Sequence, residues 1–249
     1  MERLSRNRDF ALLQIGQAFS TIGTESTAIA YPLLVLATTH SAFRAGVVGF
    51  ARIVPYSIFA LLAGVAADRW NRKRIMIVAD VVRALAVGSI VAAIATGILT
   101  FGQIVVVAFV EGAMFVAFNI AEVGTLGAVV PAPQLPEAAA LEQTRISVVE
   151  LGGPLLGGAL FGLGRSLPFL ADALSYTFSL GTVLAMRTPF QEEREEAPAE
   201  GIRTQIAEGF AWLWQRPFLR TCAFLFAGSL KGQDKPQATR TSSVGVGLL

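Results

Sequence analysis

Residues Gly64-Val65-Ala66-Ala67-Asp68-Arg69-Trp70-Asn71-Arg72-Lys73-Arg74 separate two apolar stretches, each long enough to cross a bilayer. Four cations fall within the last six of these residues. A short basic loop between two membrane-length segments leaves few folds open. A hydrocarbon core cannot hydrate backbone amides, so each segment must satisfy its own hydrogen bonds as a helix. Only 15% of the residues are charged and 53% are hydrophobic. Soluble domains carry roughly 25% charge, so this chain cannot dress a soluble surface and is read as an all-α integral membrane protein.

Six spans follow from apolar length and turn signals. They run over about Phe10–Thr38, Ala42–Ala67, Ile75–Leu99, Gln103–Val130, Pro136–Leu163 and Pro168–Met186. The first begins after Arg3, Arg6 and Arg8 and is too long for the apolar core of a secretory leader; it is read as an uncleaved span. Arg3, Arg6, Arg8, Arg69, Arg72, Lys73, Arg74 and Arg187 share one side, against Arg44 and Arg165 on the other. The positive-inside rule therefore puts the N-terminus in the cytoplasm and the bundle in the cell membrane.

The organisation reads as a six-span bundle over 1–187, followed by a linker over 188–216. The linker opens with the charge run Gln191-Glu192-Glu193-Arg194-Glu195-Glu196. It continues as an amphipathic helix around Ile206, Phe210 and Trp214, suited to the membrane interface. An incomplete seventh span occupies 217–230, too short to cross, and 231–249 is a polar, patternless tail expected to be disordered.

Ionisable residues inside spans mark candidate sites, because each costs at least about 2.5 kcal/mol at the bilayer centre. Glu25 lies about 15 residues before the turn at His40, and Arg52 about 12 after it. At 1.5 Å per residue their depths nearly coincide, which predicts an intramembrane Glu25–Arg52 pair if the two helices touch. A carboxylate that alternates between a cation and a proton suits proton-coupled transport; a static ion pair is the plainer alternative. Glu111, Glu122 and Glu150 are further candidates, with Arg145 placed to approach Glu122. Asp80 and Arg83 read as a local pair anchoring the start of the third span.

The fifth span holds Gly152-Gly153-Pro154-Leu155-Leu156-Gly157-Gly158. Gly153/Gly157 and Gly158/Gly162 fit close helix packing, and Pro154 removes a backbone hydrogen bond.

The basic loop resembles the G-x-x-x-D-R-x-G-R-R/K loop between helices two and three of major facilitator transporters. The glycine-proline segment resembles the G-P-x-x-G-G core of the antiporter motif in their fifth helix. Ala117-Phe118-Asn119-Ile120-Ala121-Glu122, Gln134-Leu135-Pro136 and Leu167-Pro168-Phe169-Leu170-Ala171-Asp172-Ala173-Leu174-Ser175-Tyr176 are also similar to that family. Over about residues 5–228 the chain resembles the N-terminal six-helix half of a drug:proton antiporter of the macrolide- or enterobactin-exporter kind.

The resemblance implies a cytoplasmic gate at Gly64, Asp68, Arg69 and Arg72, and a helix-five hinge at Gly153, Pro154, Gly157 and Gly158. It also implies a proton- or cation-binding role for Glu25. Asn71 stands where the loop motif has glycine, and asparagine tolerates a left-handed turn. The polar stretch after Ser229 reads as a truncated or frameshifted seventh helix.

The expected partners are a small-molecule substrate, protons and the bilayer, with a second half-transporter or a second copy of the chain to complete the site. The alternative is an inactive half, or a binding or assembly subunit. The basic residues do not interleave with aromatics, so no nucleic-acid partner is expected. The single Cys222 and single His40 offer no metal cluster, and no cofactor is expected. Without H-E-x-x-H or G-x-S-x-G, an enzyme is disfavoured.

Overall fold

A computed structural model describes residues 7–69 and 71–188, with the side chains of 60–69 left aside. Six α-helices follow one another: α1 (Arg8–Thr39), α2 (Ala42–Arg69), α3 (Arg72–Thr96), α4 (Phe101–Val129), α5 (Leu135–Leu163) and α6 (Leu167–Ala185). A single 3₁₀ turn, Ala132–Gln134, links α4 to α5. The linker after Thr188, the interfacial helix, seventh span and tail lie beyond the described residues, as do the side chains of Asp68 and Arg69 in the basic loop.

Polar residues outside the apolar runs set the helix ends. The side chain of Asn7 accepts from the N–H of Phe10 at 3.1 Å, and that of Thr100 from Gln103 at 3.2 Å. Each satisfies an amide that the first turn leaves orphaned. At the other ends, Gly97 (φ 71°) and His40 (φ 52°) take the left-handed conformation that stops a helix. Asn71 departs from its expected left-handed turn. Its φ is −63°, and its side chain accepts from the N–H of Arg74 at 3.2 Å. An amino-terminal cap needs an extended backbone and a side-chain acceptor, which asparagine supplies and glycine cannot.

Helix α1 packs on α6, α5 and α2; α4 packs on α2 and α3; and α3 also packs on α6. Helices α2 to α6 each contain an 18-residue stretch apolar enough to cross a membrane. Helix α1, with 32 residues, is the longest, but Gln17, Ser20, Thr24, Ser26 and Thr27 dilute its apolar character. All five are buried among the neighbouring helices, so the composition of α1 reflects the bundle interior rather than the lipid.

Two apolar clusters bracket that interior. Near the basic loop Phe10, Leu13, Met76, Phe118 and Met186 pack together. Toward the opposite end Leu34, Val48, Val87, Ile90, Ile104 and Phe169 do so. The middle turns of α1, α3, α4 and α6 lie between them and bring their polar residues into one layer.

Candidate functional site

Helix α4 places Glu111 in that layer, 1% exposed. The next residue, Gly112, lets the backbone of α2 come close, since a Cβ there would overlap the carbonyl of Arg52. The approach puts Arg52 Nη2 3.2 Å from Glu111 Oε1 and 2.7 Å from the carbonyl oxygen of Thr24. Tyr31 donates to Glu111 Oε2 at 2.7 Å, and Tyr176 to Oε1 at 3.3 Å. Glu111 is therefore held by a guanidinium and two phenols.

The predicted Glu25–Arg52 pair gives way to this arrangement. Depth counting set both residues at the right level but could not give their direction around the helix. Arg52 is taken by Glu111 because α2 leans on α4, while Glu25 rests its Cβ on α5 and lines the same cavity as Arg52 without pairing with it. Among the described residues no hydrogen bond or ion pair holds Glu25. A cavity of about 230 Å³ lies beside it, lined by Glu25, Thr24, Arg52, Tyr56, Glu111 and Phe115 among others. The cavity is thus lined by a paired carboxylate, by a second carboxyl group with no partner among the described residues, and by aromatic surface.

The glycine-proline segment of α5 packs directly behind Glu25. A Cβ on Gly153 would overlap Glu25 Cβ, and one on Gly157 would overlap the carbonyl of Ser26. Ser26 Oγ donates to the Gly153 carbonyl at 3.1 Å, which ties the two helices at that crossing. Gly158 and Gly162 meet nothing within 4 Å, so of the two small-residue pairs only Gly153/Gly157 forms the crossing within the described bundle. Glu150, one turn earlier, is exposed.

Arg83 and Asp80 do form a local pair, at 3.7 Å, but they do not anchor a helix end. Both are buried in the polar layer. Arg83 Nη2 donates to Thr24 Oγ1 at 2.9 Å, and its guanidinium lies 3.9 Å from the centre of the Tyr176 ring. Their positions near the start of α3 suggested the helix end, whereas packing against α6 buries that turn.

Sequence reasoning missed Tyr31, Thr24, Thr27 and Tyr176 as members of this site. Asp172 was noted only as part of a family-like stretch. The available signals were the hydroxyl-rich run from Ser20 to Thr27 and the lone acid within the apolar run of α6.

A second polar group lies toward the basic-loop end. Arg145 reaches from α5 to Glu122 on α4 at 3.2 Å and to Glu142 at 3.8 Å. Arg72 Nη1 donates to the Gly124 carbonyl at 2.7 Å, and Lys73 Nζ to that of Met186 at 2.7 Å. Cations thus meet carbonyls late in α4 and just past α6, where the helix dipoles are negative. Asp9, just before the first span, accepts from the N–H groups of Arg187 and Thr188 at 3.0 and 2.7 Å, and from the Thr188 hydroxyl. Burial alone would raise the Asp9 carboxyl, but these hydrogen bonds and the charge of Arg8 outweigh it and hold it below its usual value.

Comparison with known proteins agrees with this architecture. The family model described as transmembrane secretion effector, of the major facilitator type, matches residues 4–227. The multidrug efflux pump Tap of Mycobacterium tuberculosis H37Rv is 26% identical over 238 residues, covering 90% of this chain and 55% of the pump. The Tap pump of Mycolicibacterium fortuitum is 29% identical, covering 82% and 51%. Macrolide efflux protein A of Streptococcus pyogenes is 27% identical, covering 89% and 54%. The chain spans about half the length of these curated relatives. A family match over most of the chain, on a bundle of apolar helices around a polar layer, makes this a multi-pass membrane protein that belongs to the transmembrane secretion effector family of major facilitator proteins.

Proposed function

We propose that this bundle forms one wall of an efflux transporter that exports amphipathic small molecules in exchange for protons. Its N-terminus and basic loop would face the cytoplasm. The observation that carries the reading is the cavity beside Glu25. It combines a carboxyl group that has no ion pair among the described residues with the Arg52–Glu111 pair and the rings of Tyr56 and Phe115. A carboxyl at the edge of such a cavity can exchange a proton for a ligand's charge, and the rings offer surface to an apolar body. Orientation is supported by the positive-inside bias, and the efflux direction by the names of the relatives.

Arg72, docked on α4, belongs with Gly64, Asp68 and Arg69 to the proposed gate, and Gly153, Pro154 and Gly157 to the proposed hinge against α1. The experiment is flux of ethidium in proteoliposomes under an imposed pH gradient. Gradient-dependent flux that E25Q abolishes is expected; equal flux in E25Q removes Glu25 from the exchange.

The alternative reading is a binding or assembly subunit that works beside another half or a second copy. Stable insertion and ethidium binding without flux, with flux restored by co-reconstituting a C-terminal half from such a relative, would support that reading.

A further inference from the structure

Pairing the fully buried charges of the polar layer leaves one carboxyl group over. Among the described residues this layer contains two guanidinium groups, Arg52 and Arg83, and three carboxyl groups no more than 1% exposed: Asp80, Glu111 and Asp172. Arg52 is engaged by Glu111 at 3.2 Å, and Arg83 stands 3.7 Å from Asp80. Asp172 has no cation within ion-pair distance among the described residues. Its oxygens meet hydroxyls instead: Thr27 Oγ1 donates to Oδ2 at 2.9 Å, and Ser175 Oγ lies 3.4 Å from Oδ1.

The polar and charged groups nearest Asp172 sharpen the contrast. Helix α1 presents Gly23, Thr24 and Thr27. Helix α3 presents Arg83, whose guanidinium is directed to Thr24 and the Tyr176 ring. Helix α4 presents the like charge of Glu111, and α2 the more distant Arg52, already bound to Glu111. Tyr31 on α1 and Tyr176 on α6 are phenols bonded to Glu111. Ionising a carboxyl group in such a place leaves a buried charge with no cation beside it, which is costly.

Hydroxyl partners suit either form. A hydroxyl donates to a carboxylate and accepts from a carboxylic acid, so Thr27 and Ser175 can serve both by rotating a hydrogen. Gly23 completes the enclosure, since a Cβ there would overlap both Asp172 Oδ1 and Ser175 Oγ. The backbone of α1 therefore lies directly over the carboxyl group.

We propose that Asp172 is a proton-binding site, a carboxyl group kept neutral between Thr27 and Ser175 and able to exchange with water only when α1 parts from α6. On release the carboxyl O–H bond breaks, the proton passes to water, and the carboxylate keeps the electron pair. Binding rests on this geometry; its use in efflux rests on the transport reading above.

The test is infrared difference spectroscopy of the full chain in lipid nanodiscs through a pH titration, following the C=O stretch of a protonated carboxyl group. At neutral pH a protonated-carboxyl band is expected that D172N abolishes, that D80N leaves in place, and that T27V shifts because one hydrogen bond is lost. A band that survives D172N, or that vanishes in D80N instead, overturns the assignment. If D172N does not fold, a band unmoved by both T27V and S175A overturns it equally. The readout needs no flux, so a failure of proton-driven transport would leave the site standing and remove only its use.

Discussion

Removing one partner of the Arg52–Glu111 pair should cost very different amounts depending on which partner goes. Glu111 is 1% exposed, whereas the Arg52 side chain is 19% exposed and lines the cavity. In R52M the carboxylate loses its cation and keeps only the phenols of Tyr31 and Tyr176. Breaking a buried pair from one side costs about 3–5 kcal/mol. The two phenols place this case at the lower end, about 3 kcal/mol.

In E111Q the guanidinium keeps the Thr24 carbonyl and its access to the cavity, so the loss approaches that of one charged hydrogen bond, about 1.5 kcal/mol. The double variant leaves a neutral glutamine beside the phenols and strands no charge. Its cost should therefore be roughly 2 kcal/mol below the sum of the single costs. Equilibrium unfolding of the reconstituted chain in mixed dodecylmaltoside–SDS micelles, followed by far-ultraviolet circular dichroism, measures all three. Equal single costs that add within about 0.5 kcal/mol would refute the reasoning, because independent sites behave that way.

Further expectations concern the glycine crossing and the Asp9 clasp. Gly157→Ala should destabilise the bundle by about 1–3 kcal/mol in the same unfolding assay, since its methyl group meets the Ser26 backbone rather than a movable side chain. Gly158→Ala, in open space, should be neutral or gain up to about 1 kcal/mol from helix propensity. Asp9 has a folded-state pKa below its unfolded one, so its contribution is complete above the unfolded value and is lost as pH falls through the folded value. Wild-type stability should therefore drop more steeply on acidification than that of D9N; parallel pH profiles would count against the Asp9 clasp.

How much of this was legible in the sequence depended on whether length or direction carried the information. Span positions followed from apolar length, and the described helices end within a few residues of them: the fourth was read as Gln103–Val130 and α4 is Phe101–Val129. The partner of Arg52 was not legible. Depth is a count along one chain, whereas pairing depends on which neighbour a helix leans toward, and Gly112 decides that through the side chain it lacks. Asp80 and Arg83 were legible as a local pair but not as buried, because burial there is imposed by α6. Asn71 was legible as a turn residue, yet its role as a cap depended on where α3 begins. Asp172 was visible only as an acid in an apolar run, and its significance appears when the surrounding charges are paired.

One turn of α1 connects these features. The Thr24 carbonyl accepts from Arg52, and its hydroxyl meets both Arg83 and Tyr176. Glu25 and Ser26 rest on Gly153 and Gly157, while Gly23 and Thr27 enclose Asp172. The cavity, the glycine crossing and the proposed proton site therefore share a segment of five residues that together face α2, α3, α5 and α6. Rotation or tilt of α1 at this level cannot change one contact alone. Moving Glu25 off Gly153 also moves the Thr24 carbonyl from Arg52 and Gly23 from Asp172. In the proposed exchange, ligand entry beside Glu25 and release of a proton from Asp172 are then linked through the backbone of α1, with no need for the two carboxyl groups to touch. The linkage is local to this half, and it gives the buried polar layer a role that stability alone does not, since paired buried charges are weak evidence of stabilisation.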